Sequence, residues 1–120
     1  MTPIRIQRIR KKGYKHPPNT LFTTRPMPHE NPYRVLRAGK GYAVFMGTAF
    51  SESFDNHKDA VEYAVKMFRY YLQNLKENDV PYYTKLVAQV RAADYIACSC
   101  KLTDICHADV WIELTKEGAA

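Results

Sequence analysis

Hydrophobic and polar positions follow two different periods along the chain. Before residue 55, short apolar runs alternate with polar residues and stop at prolines or glycines, which predicts strands joined by turns. From Val61 onward, apolar residues recur every three or four positions, the spacing of helices that bury one face. Strands followed by helices predict one α/β or α+β domain over residues 1–120. We expect a small sheet covered by about three helices in a three-layer-like arrangement.

Four stretches of the chain have strand character. Residues 4–10 alternate apolar and basic side chains, which predicts a short strand with one basic face. The β-forming residues of Leu21–Thr24 predict a second strand. Apolar runs on both sides of residues 39–41, Gly-Lys-Gly, predict a β-hairpin. Tyr95–Cys98 predicts a buried strand that comes between two helices.

Three segments have the apolar spacing of helices. The first stripe runs from Val61 to Leu75, the second from Tyr83 to Val90, and the third helix is predicted over residues 105–116. A side chain that can accept hydrogen bonds from the first helical N–H groups precedes each of them. These predicted caps are Asp55 or Asn56, Asp79, and Thr103 or Asp104.

Composition places the chain among ordinary globular proteins. Hydrophobic residues make up 46% of the sequence and charged residues 25%, which excludes a disordered or collagen-like chain. No apolar run approaches the roughly 18 residues that cross a membrane, and the N-terminus has no apolar stretch of signal-peptide length. We therefore expect a cytoplasmic protein with no membrane partner. His16, His29 and His57 are isolated in sequence, and we expect them at the surface.

Positive charge is concentrated in the N-terminal third of the chain. Residues 1–40 contain ten Lys or Arg and one acidic residue, for a net +9, whereas residues 41–120 contain eight basic and eleven acidic residues, for −3. A field of this sign favours an anionic partner, such as a nucleotide, another phosphorylated molecule or a nucleic acid. A solvated basic arm with no ligand is the alternative.

Reactive side chains are concentrated between residues 98 and 109. Three cysteines within nine residues are an odd number and a poor disulfide framework, so reduced thiols are expected. Cys98 and Cys100 would lie at the carboxyl end of a strand, with Cys106 and His107 in the first turn of the next helix. A helix start attracts anions and lowers the pKa of a nearby thiol.

Three interpretations of this segment remain open. Cys98, Cys100, Cys106 and His107 could supply a Cys3His zinc site, although C-x-C and adjacent Cys-His spacing differ from the usual zinc pairs. Cys106 could be a nucleophile with His107 or Asp109 as its proton-transfer partner, although neighbouring side chains on a helix point apart. The third interpretation is that the cysteines are buried core residues.

Motifs at both ends of the chain resemble one family. The resemblance rests on Arg8, Arg10, Gly13-Tyr14, Pro18-Asn19-Thr20, Arg25-Pro26, Asn31-Pro32-Tyr33, Cys98-Ser99-Cys100, Cys106-His107-Ala108-Asp109-Val110 and Glu113-Leu114. With these residues the chain resembles an uncharacterised family common in phages and bacteria, the domain of unknown function 4326. The resemblance implies a small phage-type domain in the cytoplasm of a bacterial host cell. It also implies that the Arg-Pro and Asn-Pro loops fold against the Cys-His helix start.

The leading hypothesis is that the protein binds a nucleotide-like phosphorylated ligand and so sequesters it. The ligand would lie at the strand-to-helix junction, in contact with Arg8, Arg10, Arg25, Asn31, Cys98, Cys100, Cys106, His107 and Asp109. The first alternative is an enzyme that acts on a nucleotide or modified base through Cys106 and His107. The second is a basic, zinc-stabilised module that binds nucleic acid. Assembly into a homo-oligomer would be compatible with each hypothesis.

Overall fold

Two three-stranded sheets and three helices make up the fold. The structure, a computed structural model, describes residues 2–24, 27–100, 102 and 104–117. The mixed α/β class and the three helices agree with the sequence prediction, whereas the strands divide into two sheets and do not form one. The elements are β1 (Ile4–Gln7), β2 (Thr20–Phe22), β3 (Tyr33–Ala38), β4 (Gly41–Met46), β5 (Ala49–Phe54), α1 (His57–Asn78), α2 (Val80–Ala92), β6 (Tyr95–Cys98) and α3 (His107–Glu117).

The first sheet is parallel and has the order β1-β6-β2. Because both neighbours run parallel to β6, all three strands end at the same edge of the sheet. The ladder continues one residue past β1 and β2, where the N–H groups of Arg8 and Thr23 donate to Cys98 O at 2.8 Å and to Ala97 O at 2.9 Å. Residues from three distant parts of the sequence therefore meet at this carboxyl edge, the usual ligand-binding edge of α/β sheets.

The second sheet is antiparallel and has the order β3-β4-β5. Two-residue turns join its strands, and each begins with a glycine at positive φ, 59° at Gly39 and 61° at Gly47, where an L side chain would be strained. The hairpin of β3 and β4 confirms the prediction. The sequence analysis did not predict β5, because Phe50 and Phe54 are its large apolar residues and its pattern is weak.

Predicted caps begin two of the helices. Asn56 Oδ1 accepts from Asp59 N at 2.9 Å before α1, and Asp79 Oδ1 accepts from Tyr82 N at 3.4 Å before α2. The third helix begins two residues later than predicted, because its first turn closes on the carbonyl of Cys106. Of its predicted caps, Asp104 lies outside the helix and Thr103 lies outside the described residues. None of the described helices is long and apolar enough to cross a membrane.

The longest helix, α1, packs against both sheets. Its C-terminal half contributes Phe68 and Leu72 to the main core, which contains Ile96 of β6 and Trp111 of α3. Its N-terminal half contributes Ala60 and Ala64 to a smaller cluster, which also contains Val44 of β4. Because α1 is shared in this way, it holds the antiparallel sheet beside the carboxyl edge of the parallel one.

His29 is buried in the core, so the prediction of a surface histidine is wrong for this residue. Its side chain is 1% exposed, with Nε2 3.0 Å from Leu86 O and the imidazole ring edge-on to the indole of Trp111. In return, Trp111 Nε1 donates to His29 O at 2.9 Å. These partners are 57 and 82 residues away in sequence, so the local pattern around His29 contains no sign of its burial.

Candidate functional site

Three thiols form a cluster at the carboxyl edge of the parallel sheet. Cys98 ends β6, Cys100 follows in the next turn, and Cys106 immediately precedes α3. The Cys98 Sγ atom lies 3.6 Å from Cys100 Sγ and 3.0 Å from Cys106 Sγ, and all three sulfur atoms lie within 4.8 Å of one another. Cys98 and Cys106 are buried and Cys100 is half-buried. The thiols predicted as ligands therefore do converge, and none of them is in a disulfide.

His107 extends the thiol cluster with an imidazole. Its Nε2 atom lies 2.8 Å from Thr23 O, and since a carbonyl can only accept, Nε2 donates this hydrogen bond. The other ring nitrogen, Nδ1, lies 3.7 Å from Cys106 Sγ. The expectation that adjacent Cys and His side chains point apart is wrong here, because Cys106 lies outside α3 and helical angles do not apply to it. The Phe68 ring packs edge-on against the imidazole.

Hydrogen bonds within the cluster shift the pKa values of its thiols in opposite directions. Hydrogen bonds from Cys100 and then from Cys106 lower the pKa of Cys98. The hydrogen bond with Cys106 lowers the pKa of Cys100, but the bond with Cys98, burial and the neighbouring Cys98 charge raise it to about 11. The pKa of Cys106 is also raised, because its thiol donates towards Cys100 and Cys98. The thiol whose pKa this arrangement lowers is therefore Cys98, and not Cys106 as the sequence analysis expected.

A cavity of about 960 Å³ opens beside the cluster, and its volume is in the range of small-molecule sites. All three cysteines and His107 contribute to its wall. Basic side chains reach it from three further parts of the fold: Arg10 after β1, Arg34 on β3, and His57 and Lys58 at the start of α1. The starts of two helices, α1 and α3, thus border the same cavity and add the positive ends of their dipoles.

The predicted arginines lie in different environments. Arg10 is exposed and lines the cavity. Arg8 does not line it: its guanidinium donates to Thr24 Oγ1 at 3.2 Å and lies 5.9 Å from the ring centre of Phe22, in a second cavity. Arg25 lies outside the described residues. Of the three predicted arginines, Arg10 is thus the one that the structure describes at the main cavity.

Asn31 and Asp109 are both engaged in contacts within the protein. Asn31 lines the cavity, but its amide donates to Ala64 O at 3.1 Å and its Oδ1 accepts from Tyr33 N at 2.9 Å. Asp109 Oδ2 accepts from the Arg5 guanidinium at 2.8 Å and is not among the described residues that line the cavity. The geometry therefore favours a structural role for these two side chains, which orient the Asn-Pro loop and the start of α3.

Sequence reasoning missed four residues at this edge. Arg34, His57 and Lys58 line the cavity, and the carbonyl of Thr23 accepts the proton of His107. Arg34 gave only a weak signal of a site, as a basic residue beside the apolar pair of β3. His57 and Lys58 belong to a helix whose solvated face carries many charges, so nothing local distinguished them. The contact between the Thr23 carbonyl and a residue 84 positions away cannot be inferred from the local sequence.

The donor set of the cluster can hold a metal ion. Soft thiolates with an imidazole are the ligands of Zn²⁺, and tetrahedral bonds of about 2.3 Å would place zinc-bound sulfurs about 3.8 Å apart. The Cys98–Cys100 separation of 3.6 Å is close to that value, while the Cys98–Cys106 pair at 3.0 Å would have to open by about 0.8 Å. His107 meets a second requirement, because metal-bound imidazoles usually donate their other N–H to a fixed acceptor, which here is Thr23 O.

Comparisons with known proteins identify a family. Searches among curated proteins and solved structures found no significant match. The sequence model of the family described as Domain of unknown function (DUF4326) matches residues 6–117, which contain the thiol cluster, His107 and every basic residue of the cavity. Since this match covers nearly the whole chain, the protein belongs to the DUF4326 family.

Proposed function

We propose that the protein binds a nucleotide-like phosphorylated molecule in the 960 Å³ cavity. The observation that carries this proposal is the convergence of Arg10, Arg34 and Lys58, from three separate elements, on one cavity at the carboxyl edge of parallel strands. Arginine and lysine side chains make strong charge-assisted hydrogen bonds to phosphate oxygens. Two helix starts at the same cavity favour the same anion.

Other parts of the cavity wall suit the rest of a nucleotide. The carboxylates of Glu30 and Asp104 line it and can accept hydrogen bonds from ribose hydroxyl or base amino groups. Val35, Val61 and Val65 supply apolar surface against which a base can pack. A cavity with both a cationic and an apolar part fits a phosphorylated molecule that has an organic body better than it fits inorganic phosphate.

Calorimetric titration of the protein, purified without chelator, tests this proposal. The probes are the four ribonucleoside 5′-monophosphates and inorganic phosphate. We expect at least one nucleotide to bind more tightly than phosphate, and Arg34→Ala to weaken that binding about tenfold or more, the value of one charge-assisted hydrogen bond. Arg37→Ala is the matched control, because this exposed arginine of the same strand does not line the cavity.

Two results would overturn the proposal. In the first, no nucleotide binds more tightly than inorganic phosphate. In the second, Arg34→Ala and Arg37→Ala weaken binding equally, which would mean that the general positive field, and not the cavity, attracts the ligand.

We further propose that the cluster holds a zinc ion through Cys98, Cys100, Cys106 and Nδ1 of His107. The support is the convergence of three thiols with an imidazole whose other nitrogen already donates to a backbone carbonyl. Closed coordination by four protein ligands is typical of structural zinc. A zinc ion in this place would join the end of β6 to the start of α3 and hold the floor of the cavity in place.

Native mass spectrometry and cobalt substitution test the metal. We expect one zinc ion per chain, and an intense thiolate-to-cobalt absorption when Co²⁺ replaces it. Cys98→Ser should abolish metal binding, while Ser99→Ala, at the exposed position between the two thiols, should keep it. If the wild-type protein takes up neither zinc nor cobalt in reducing buffer, the metal proposal is wrong, whether or not the Cys98 variant folds.

A thiol enzyme has less support from the geometry. A nucleophilic cysteine needs a lowered pKa together with access to substrate. The pKa of Cys106 is raised, and Cys98, whose pKa is lowered, is only 3% exposed. Cys106 is only 2% exposed as well, so neither residue combines a lowered pKa with access, which favours metal binding over covalent catalysis.

A further inference from the structure

A second cavity, of about 410 Å³, continues the first one along the surface. Arg10 and Thr24 line both cavities, so the two share a wall. The second lies between the segment that follows β1 and the segment that follows β2. A molecule bound in the first cavity can therefore extend past Arg10 into the second.

Every charged side chain among the described lining residues of the second cavity is basic. Arg8, Arg10, Lys11 and His16 line it, and no acidic residue is in this set. The first cavity, in contrast, also contains Glu30 and Asp104. The charged residues that line the smaller cavity are therefore of one sign, whereas those of the larger cavity are mixed.

Aromatic rings accompany these charges. Phe22 and His16 line the second cavity, with their ring centres 5.0 Å apart in an edge-on arrangement, and the Arg8 guanidinium lies over the Phe22 ring. Aromatic rings and guanidinium planes are the surfaces on which nucleic-acid bases stack. Charge and stacking surface together fit one nucleotide unit, a phosphate with its base.

The wall of the second cavity is tied to the sheet. The Arg8 N–H extends the parallel ladder to Cys98 O, and the Ile9 N–H donates to His16 Nε2 at 3.1 Å, which closes the segment into a loop. The Tyr14 ring packs edge-on against His16 at 4.9 Å. These contacts hold the backbone of the loop and the His16 ring in place before any ligand arrives, which reduces the entropy that binding costs.

We propose that the ligand has two nucleotide units joined by a phosphodiester, with one unit in each cavity and the linking phosphate at Arg10. This inference rests on the proposed nucleotide binding and specifies its ligand class. The chemistry is shared by a free dinucleotide and by the end of a single strand, and the test distinguishes the two.

The experiment compares ligands of increasing length on wild-type protein and two lysine variants. The probes are AMP, the 5′-phosphorylated dinucleotide pApA and the hexanucleotide (pA)6. We expect pApA to bind at least tenfold more tightly than AMP. Lys11→Ala should weaken pApA binding about tenfold, one charge-assisted contact, and leave AMP binding unchanged. Lys12→Ala is the matched control, because this neighbouring lysine lines neither cavity. The Lys12→Ala protein should bind AMP and pApA as tightly as the wild-type protein does.

Each outcome separates this inference from the proposal on which it rests. If AMP binds but pApA gains nothing, or if the two lysine variants behave alike, the two-unit ligand is wrong and mononucleotide binding stands. If pApA and all four ribonucleoside 5′-monophosphates fail to bind, both proposals fail. Equal affinity for pApA and (pA)6 identifies a dinucleotide, whereas a further gain for (pA)6, with strong salt dependence, identifies a strand end.

Discussion

Asn19 joins β2 to the loop before β6 from a left-handed backbone conformation. Its φ angle is 59°, its side chain donates to Ala92 O at 2.8 Å, and its carbonyl accepts from Asp94 N at 3.1 Å and from Tyr95 N at 3.4 Å. Asparagine tolerates this conformation better than most residues because its short polar side chain bonds locally. One residue thus aligns two neighbouring strands of the parallel sheet.

We predict that Asn19→Ala lowers the free energy of unfolding by about 2 kcal/mol, through loss of the hydrogen bond and strain at positive φ. Asn19→Gly should lose less, because glycine adopts this φ angle freely. Urea denaturation of both variants measures the difference. An alanine variant as stable as the glycine variant would show that the backbone conformation is not the constraint.

Burial of His29 makes the stability of the protein depend on pH. Burial lowers the pKa of His29 below 6.5, and the hydrogen bond with Leu86 offsets this in part. Between pH 6.5 and the lower native pKa, the unfolded chain binds a proton that the native state does not, so stability falls as pH falls through this window.

We therefore predict that wild-type protein loses stability from pH 7.5 to pH 5.5 by more than His29→Gln does. Glutamine cannot titrate, and its side-chain amide can donate to the Leu86 carbonyl as the imidazole Nε2 does. Urea titrations at several pH values give the comparison. Parallel pH profiles for the two proteins would contradict the assignment of this dependence to His29.

At the scale of elements, a bidentate ion pair joins α1 to α3. Arg69 NH1 lies 2.7 Å from Glu113 Oε2, and NH2 lies 3.1 Å from Oε1. The hydrogen bond from Arg69 lowers the pKa of Glu113. Both side chains are about half exposed, so solvent screens the pair strongly.

We predict a coupling energy below about 1 kcal/mol in a double-mutant cycle of Arg69→Gln and Glu113→Gln. Because the native pKa of Glu113 is lowered, its contribution is complete above the unfolded pKa of about 4.3 and is lost as pH falls below it. Cycles measured at pH 7 and pH 3 test both statements. A coupling that is unchanged at pH 3 would contradict the charge-dependent account.

Elements with strong local signals were predicted, and those without them were not. The caps Asn56 and Asp79 and the apolar stripes behind them led to α1 and α2 nearly residue by residue. The start of α3 was displaced by two residues because the carbonyl of Cys106, and not a side chain, receives its first hydrogen bond. Strand β5 was missed because few of its residues are buried.

At the scale of the whole molecule, the proposed zinc ion links the core of the parallel sheet to α3. A zinc ion that binds only the native state raises the free energy of unfolding by about 2.7 kcal/mol when the free zinc concentration is 100 times Kd. For a chain of this length that gain corresponds to a rise of about 10 °C in melting temperature with zinc, which a chelator should reverse.

Calorimetry in reducing buffer measures this shift, with Cys98→Ser as the variant that should not respond. Ser99→Ala should respond as the wild-type protein does. A melting temperature that is the same with zinc and with chelator would mean that the cluster contributes to the core as thiols alone.

The sequence by itself determined the fold class, the caps of the first two helices, the hairpin of β3 and β4 and the concentration of thiols between residues 98 and 109. These features depend on residues that are close in the chain, where propensity and spacing act directly. Only the tertiary structure decided the division into two sheets, the burial of His29, the hydrogen bond from His107 to Thr23 and the place of Arg34 in the cavity beside the thiols. These depend on parallel pairing and on packing between distant segments, contacts that no local pattern contains.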